Sequence, residues 1–316
     1  MFLFGVQSCY NLNMSWFFIA LIGSLLYAST NHIDKYLISK YLKDGEVGSL
    51  VIFSSIFSIF ALPIVFFIHP EVFLVTLFQA IALVVTGMMT VIAVLLYFYA
   101  LREDEATNVV PFYQTIPIFA FVLGFLILGE TVSSIQGIAS LIIIAGAVLL
   151  SFEIGGGKIH LKSQVVFFML AASLLYALSS VIFKLVAIEE GFWLSTFWFL
   201  FGKIILGGFF LIFVPIYRRQ FFTVLKENKI RILALNSTNE ILAILADGFI
   251  SFATLLAPVA LVLLAGSFQP VFVLVIGVLL TLFFPHISEE SLSHKHIIQK
   301  VVAIVVIMIG TYLLSI

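Results

Sequence analysis

Residues 232–254, ILALNSTNEILAILADGFISFAT, decide how this chain folds. The stretch is apolar enough to cross a bilayer, which takes about 20 residues of helix. Yet it carries Glu240 and Asp247 well inside its span, with Asn236 and Asn239 on the turn before the glutamate. At about 3.6 residues per turn, Asn236, Glu240 and Asp247 fall within roughly 40° of one another. One polar stripe therefore runs down an otherwise greasy rod. A carboxylate at the centre of a membrane helix costs on the order of 2.5–3.5 kcal/mol on insertion scales, and such groups face a bundle interior or a wet cavity. The stripe either lines a path for something polar or joins helices through interhelical hydrogen bonds. Asparagines alone would favour the second role; two carboxylates two turns apart favour the first.

Composition carries the inference to the whole chain. Of 316 residues, 63% are hydrophobic and 10% charged, and the mean hydropathy is +1.25. A soluble domain has about 45–50% apolar and 25% charged residues, so a multi-pass integral membrane protein is expected. The single cysteine, Cys9, excludes an internal disulfide and a cysteine-built metal site. Cutting at polar clusters and at Gly/Pro breaks predicts an all-α protein with ten transmembrane helices, at 15–34, 47–68, 73–100, 107–129, 131–151, 164–187, 192–214, 232–254, 256–284 and 296–316. Residues 1–14 form an N-terminal stub, and connections such as 102–105, 155–162 and 218–231 are too short for a soluble domain. Lys35, Lys40, Lys43, Arg102, Lys158, Lys162, Arg218, Arg219, Lys226, Lys229, Arg231, Lys295 and Lys300 all fall on one side of this topology, against little more than Lys184 on the other. Positive charge marks the cytoplasmic side, which places both termini outside.

An internal repeat organises the ten helices. Ser24-Leu25-Leu26-Tyr27-Ala28 recurs as Ser173-Leu174-Leu175-Tyr176-Ala177, and Lys35 recurs as Lys184 at the same spacing. Farther on, Ile116-Pro117-Ile118-Phe119 is echoed by Gln269-Pro270-Val271-Phe272, and Gly146 to Ser151 by Gly310 to Ser315. Two five-helix repeats, 15–151 and 164–316, are therefore expected, joined by a loop at 152–163. Five is odd, so the second copy enters the membrane from the opposite side. Two inverted halves enclosing one site is the arrangement of an alternating-access carrier.

Leu128-Gly129-Glu130-Thr131, followed by Gln136-Gly137 and Gly146-Ala147-Val148, resembles the run between the fourth and fifth helices of the drug/metabolite transporter superfamily, specifically its EamA-type ten-helix carriers. Pro117 sits where these carriers have a proline, and Tyr97, Ala100 and Leu101 resemble their third-helix ending. The second half departs from the pattern: Leu282-Phe283-Phe284-Pro285 replaces the Leu-Gly-Glu corner and is followed by a polar segment, His286 to His296. The basic side is also opposite to that of many such carriers. The resemblance implies a carrier of small molecules and leaves its cargo open.

Individual residues carry more specific expectations. Glu240 is the candidate for coupling, taking up and releasing a proton as access alternates, with Asp247 beside it able to do the same. Lys203 lies mid-span in the seventh helix, too deep to snorkel, and needs a carboxylate partner; it either reads an anionic substrate or neutralises one of the acids. Asn236, Asn239, Gln114, Gln269, Tyr27 and Tyr176 are the remaining candidates to contact substrate. Pro117 and Pro270 are expected to kink the fourth and ninth helices, freeing carbonyls. Lys35 and Lys184 are read as helix-end anchors to headgroups, and Gly207-Gly208 as a close-packing pair. No catalytic or metal motif is present, neither HExxH nor GxSxG nor a phosphate loop; no cofactor and no nucleic acid are expected. A secondary transporter of a small polar metabolite, proton-coupled or exchanging and placed in the plasma membrane, is the leading expectation. A membrane enzyme or lipid-handling protein using the same carboxylates, and a passive channel, are the alternatives.

Overall fold

The computed structural model describes residues 15–41, 47–103, 109–151, 163–283 and 294–314. The stub at 1–14, nearly all of the joining loop at 152–163 and most of the polar segment before His296 lie outside them. Among the described residues every regular element is helical. In chain order these are α1 (Ser15–Tyr41), α2 (Val47–Phe57), α3 (Ala61–Ile68), α4 (Leu77–Glu103), α5 (Ile116–Leu123), α6 (Ser134–Ser151), α7 (Ser163–Glu190), α8 (Phe192–Phe213), α9 (Pro215–Thr254), α10 (Val259–Leu264), α11 (Gln269–Phe283) and α12 (His294–Leu314). Six helical stretches are long and apolar enough to cross a membrane, and three shorter apolar ones follow the same composition. The outward surface is inside-out by soluble standards: Phe67, Leu77 and Phe78 are 80%, 76% and 82% exposed. Such a surface is stable only against lipid.

Breaks between elements follow from the residues at them. A 3-10 segment (Val110–Thr115) precedes α5, and another (Ala265–Phe268) precedes α11. Pro117 and Pro270 each occupy the second residue of the α-segment that follows. A proline has no N–H to donate backwards and its ring crowds the carbonyl four residues before it. The chain ahead of each proline is accordingly wound as the tighter helix. After α5, a π-helical segment (Gly124–Leu128) ends at Gly129, whose φ of 66° suits glycine. That left-handed residue turns Glu130 back toward the bundle.

Several expected boundaries shift: α1 runs on to Tyr41 and α4 spans Leu77–Glu103, against expected spans of 15–34 and 73–100. Residues 218–231, expected as a connection, belong to α9, one helix of 40 residues. At about 1.5 Å per residue α9 is roughly 60 Å long, twice a hydrocarbon core. Its Arg218, Arg219 and Lys226 end extends the rod instead of closing a loop.

Packing pairs helices distant in sequence: α1 with α9 and α11, α4 with α7 and α8, α2 with α8 and α9, α5 with α7 and α10, and α6 with α12. Lipid offers no hydrophobic driving force between helices, so close approach has to come from small residues. A Cβ on Gly87 of α4 would lie 2.1 Å from the Phe199 carbonyl oxygen, and one on Gly202 of α8 would lie 2.1 Å from that of Val84. These two glycines let the backbones of α4 and α8 touch. In the α6–α12 crossing, Gly146 faces Ala303 and Ile307, while Gly310 faces Ala139 and Ile143. Of the Gly207-Gly208 pair, Gly207 abuts Ser55, whereas Gly208 meets nothing within 4 Å and so packs no partner.

Equivalent serines of the sequence repeat also make corresponding bonds. Ser24 donates to the Ala265 carbonyl at 3.0 Å and Ser173 to the Phe112 carbonyl at 3.3 Å, each serine of the repeated Ser-Leu-Leu-Tyr-Ala reaching the 3-10 segment ahead of the other half's proline.

Candidate functional site

The polar stripe on α9 faces the bundle interior. Asn236, Asn239 and Glu240 are buried, and the Asp247 side chain is 11% exposed. Lys203, at the middle of α8, meets Asp247 with Nζ 3.3 Å from Oδ2. The Tyr27 hydroxyl of α1 donates to the other oxygen, Asp247 Oδ1, and Tyr176 of α7 lies beside Tyr27. Of the two roles open to Lys203, the structure thus shows it paired with an acid.

Two turns along α9, Glu240 Oε2 accepts a hydrogen bond from Ser54 Oγ of α2 at 2.9 Å. The charges of Lys203, Asp34 and Asp247 all act on this carboxyl. One residue before it, Asn239 Nδ2 donates to Asp34 Oδ1 of α1 at 2.7 Å. Because α1 and α9 run antiparallel, Tyr27–Asp247 and Asp34–Asn239 are rungs of one ladder, about 12 Å apart. Each rung, and the Ser54–Glu240 bond, joins a residue before 151 to one after 164.

Other expected residues fall at different distances from this ladder. Gln114, buried at the 3-10 segment before α5, accepts from Ser267 Oγ at 2.7 Å and so ties that segment to its counterpart before α11. Gln269 is half-buried at the start of α11. Asn236 lines a crevice with Leu37, Ser49, Phe53 and Ile232, one turn beyond Glu240 and away from Lys203.

One residue differs from its expected role. Lys184 does not snorkel to headgroups: it is buried, with Nζ 2.5 Å from Glu130 Oε1 and 2.8 Å from the Ala257 carbonyl oxygen. The side chain of Lys35, its counterpart in the repeat, lies outside the described residues. Glu130 Oε2 in turn accepts the Val259 N–H at 2.8 Å, at the first turn of α10. The Gly129-Glu130 corner therefore clamps α7 and the α9–α10 connection together. Asp34 is the residue that sequence reasoning misses, though its spacing of seven from Tyr27 puts both on one face of α1. Among the described residues no group of three or more His, Cys, Asp or Glu is placed to hold a metal.

Twenty-seven chains of solved structures match this fold. One crystal structure superposes with a TM-score of 0.66, over 96% of this chain and 98% of its own, at 15% identity. No curated protein matches. With its apolar helices, lipid-facing surface and buried charges, the chain is an integral, multi-pass membrane protein. Its residues 14–152 match the EamA-like transporter family, the same family that the Leu128-Gly129-Glu130-Thr131 run resembles.

Proposed function

We propose that the protein is a secondary active transporter that moves a small polar metabolite by alternating access, coupled to protons or running as an exchanger. Its architecture is ten membrane-crossing rods in two inverted five-helix repeats, 15–151 and 164–316. Six long apolar stretches, three shorter ones and the charged α9 add to that number. Reciprocity supports the twofold relation: α1 on α9 mirrors α7 on α4, α6 crosses α12 through matched glycines, and Ser24 and Ser173 make exchanged bonds.

The observation that carries the mechanism is the ladder of carboxyls bonded from one half to the other inside an apolar bundle. A site whose walls come from both halves changes shape when the halves rock, so its bonds must break and re-form in each cycle. Asp247 is bonded to Lys203 and Tyr27, whereas among the described residues Glu240 takes a hydrogen bond only from the Ser54 hydroxyl. Of the two α9 carboxyls, Glu240 is therefore the one able to exchange a proton without breaking an ion pair, and Asp247 is the switch that Lys203 holds. The basic end of α9 and the other basic connections lie on the cytoplasmic side of the plasma membrane.

Reconstitution tests this. Proteoliposomes are expected to show saturable counterflow of substrate, and uptake accelerated by an imposed pH gradient. Glu240→Gln should keep counterflow and lose the response to the gradient; Asp247→Asn should slow both. Flux and gradient response unchanged in both variants would refute the coupling roles.

A further inference from the structure

We infer that the cargo is a cation, an amine bearing N–H groups, held by Asp34 and the Asn239 carbonyl oxygen beside the rings of Tyr97 and Tyr113. This deepens the transporter assignment and rests on it.

The first observation is an unmet acceptor. Asn239 donates Nδ2–H to Asp34, which fixes the amide so that Oδ1 turns the other way. That oxygen is buried and accepts no hydrogen bond from any described residue, on a side chain belonging to a residue only 6% exposed. A buried carbonyl oxygen without a donor is unfavourable, and a ligand that brings an N–H removes the penalty.

The second is the charge around it. Among the described side chains, Asp34, Glu240 and Asp247 set three carboxyls against the ammonium of Lys203, which is already bonded to Asp247. His32, two residues from Asp34, has Nε2 engaged at 2.9 Å with the Val273 carbonyl oxygen. An anion entering here would meet like charge, and a cation would meet complementary charge.

The third is aromatic. Tyr97 and Tyr113 sit with ring centroids 5.1 Å apart, both within electrostatic reach of Asp34, and Tyr176 adjoins Tyr113. Asp34, Tyr97, Tyr113 and Tyr176 are each only partly buried, so part of each side chain's surface is open to contact. Ring faces beside a carboxyl are the ordinary setting for an ammonium. The open amide acceptor distinguishes an N–H-bearing amine from a quaternary one.

The purified full-length protein is titrated with phenethylamine, trimethyl(phenethyl)ammonium, 2-phenylethanol and phenylacetate, and its thermal unfolding followed. Saturable stabilisation is expected in the order amine, quaternary cation, alcohol, with the amine binding about tenfold or more tighter than the alcohol. Asp34→Asn should remove about that advantage, and Asn239→Leu should shrink the gap between amine and quaternary cation. If Asp34→Asn does not fold, the four-compound series on the unaltered protein decides by itself. Stabilisation by phenylacetate equal to that by the amine, or by none of the four, overturns the inference. Counterflow separates the two levels: phenylacetate exchanging while the amine does not overturns the substrate class and leaves the carrier, whereas an amine that binds without exchanging refutes the carrier and leaves the class.

Discussion

The Glu130–Lys184 clamp gives the most quantitative expectation. The two side chains are 14% and 9% exposed, and between them they hold three bonds: ammonium to carboxylate, ammonium to the Ala257 carbonyl, and carboxylate to the Val259 N–H. Removing one partner of a buried pair leaves the other charge uncompensated, a loss of about 3–5 kcal/mol. Glu130→Gln strands the ammonium with one carbonyl, so it should lie in that range. Lys184→Met leaves the carboxylate one N–H and should cost about as much or slightly less. The double variant strands no charge, and the amide it carries in place of the Glu130 carboxylate still offers Val259 an acceptor. It should recover to within about 1–2 kcal/mol of the parent, a coupling of at least about 2 kcal/mol. Fluorescence-detected unfolding of the four proteins in detergent, read as a double-mutant cycle, measures this. Single variants indistinguishable from the parent, or a double variant whose loss is the sum of the two, would refute the idea that the pair closes this corner.

Further expectations concern packing, the ladder and the topology. Gly87→Ala and Gly202→Ala each push a methyl group to 2.1 Å from a carbonyl oxygen, and should cost about 1–3 kcal/mol or more. Gly208→Ala, with nothing within 4 Å, should leave monodispersity and unfolding temperature unchanged. Tyr27→Phe deletes the hydroxyl bonded to Asp247 while keeping the ring, and should slow substrate exchange several-fold without altering yield; an unchanged rate removes Tyr27 from the site. In a Cys9→Ser background, cysteines placed at Glu71 and Arg218 should react with impermeant maleimide from opposite faces of the membrane. Labelling of both from one face would break the proposed topology.

How much of this is legible beforehand depends on what each residue has to reveal. The interior stripe on α9 is legible because a carboxylate in an apolar run has a single tolerable orientation, and Lys203 is legible as its partner for the same reason. Helix ends are less so. Cutting at polar residues finds where the hydrocarbon stops, and α9 continues as helix through 218–231 because its backbone bonds are internal and indifferent to the solvent outside. Lys184 misleads because a lysine near a helix end ordinarily reaches water. Its partner Glu130 sits 54 positions earlier, on a turn that favours the glycine at 129. Asp34 is hidden by its neighbours: next to Asn31, His32 and Lys35 it resembles a polar terminus, and only the antiparallel register of α1 against α9 brings it to Asn239.

The unbroken length of α9 also makes it a lever. Asp247 acts as the pivot where Lys203 and Tyr27 grip the rod, and Arg218 lies 29 positions toward its basic end. A tilt of roughly 10° about that pivot carries the backbone at Glu240 through about 2 Å and sweeps Arg218 through about 8 Å, at about 1.5 Å per residue. A displacement too small to resolve among the buried carboxyls is thus passed on, magnified severalfold, to the far end of the rod, where Tyr217 meets Tyr99 of α4 and Gln220 accepts the Gly48 N–H of α2.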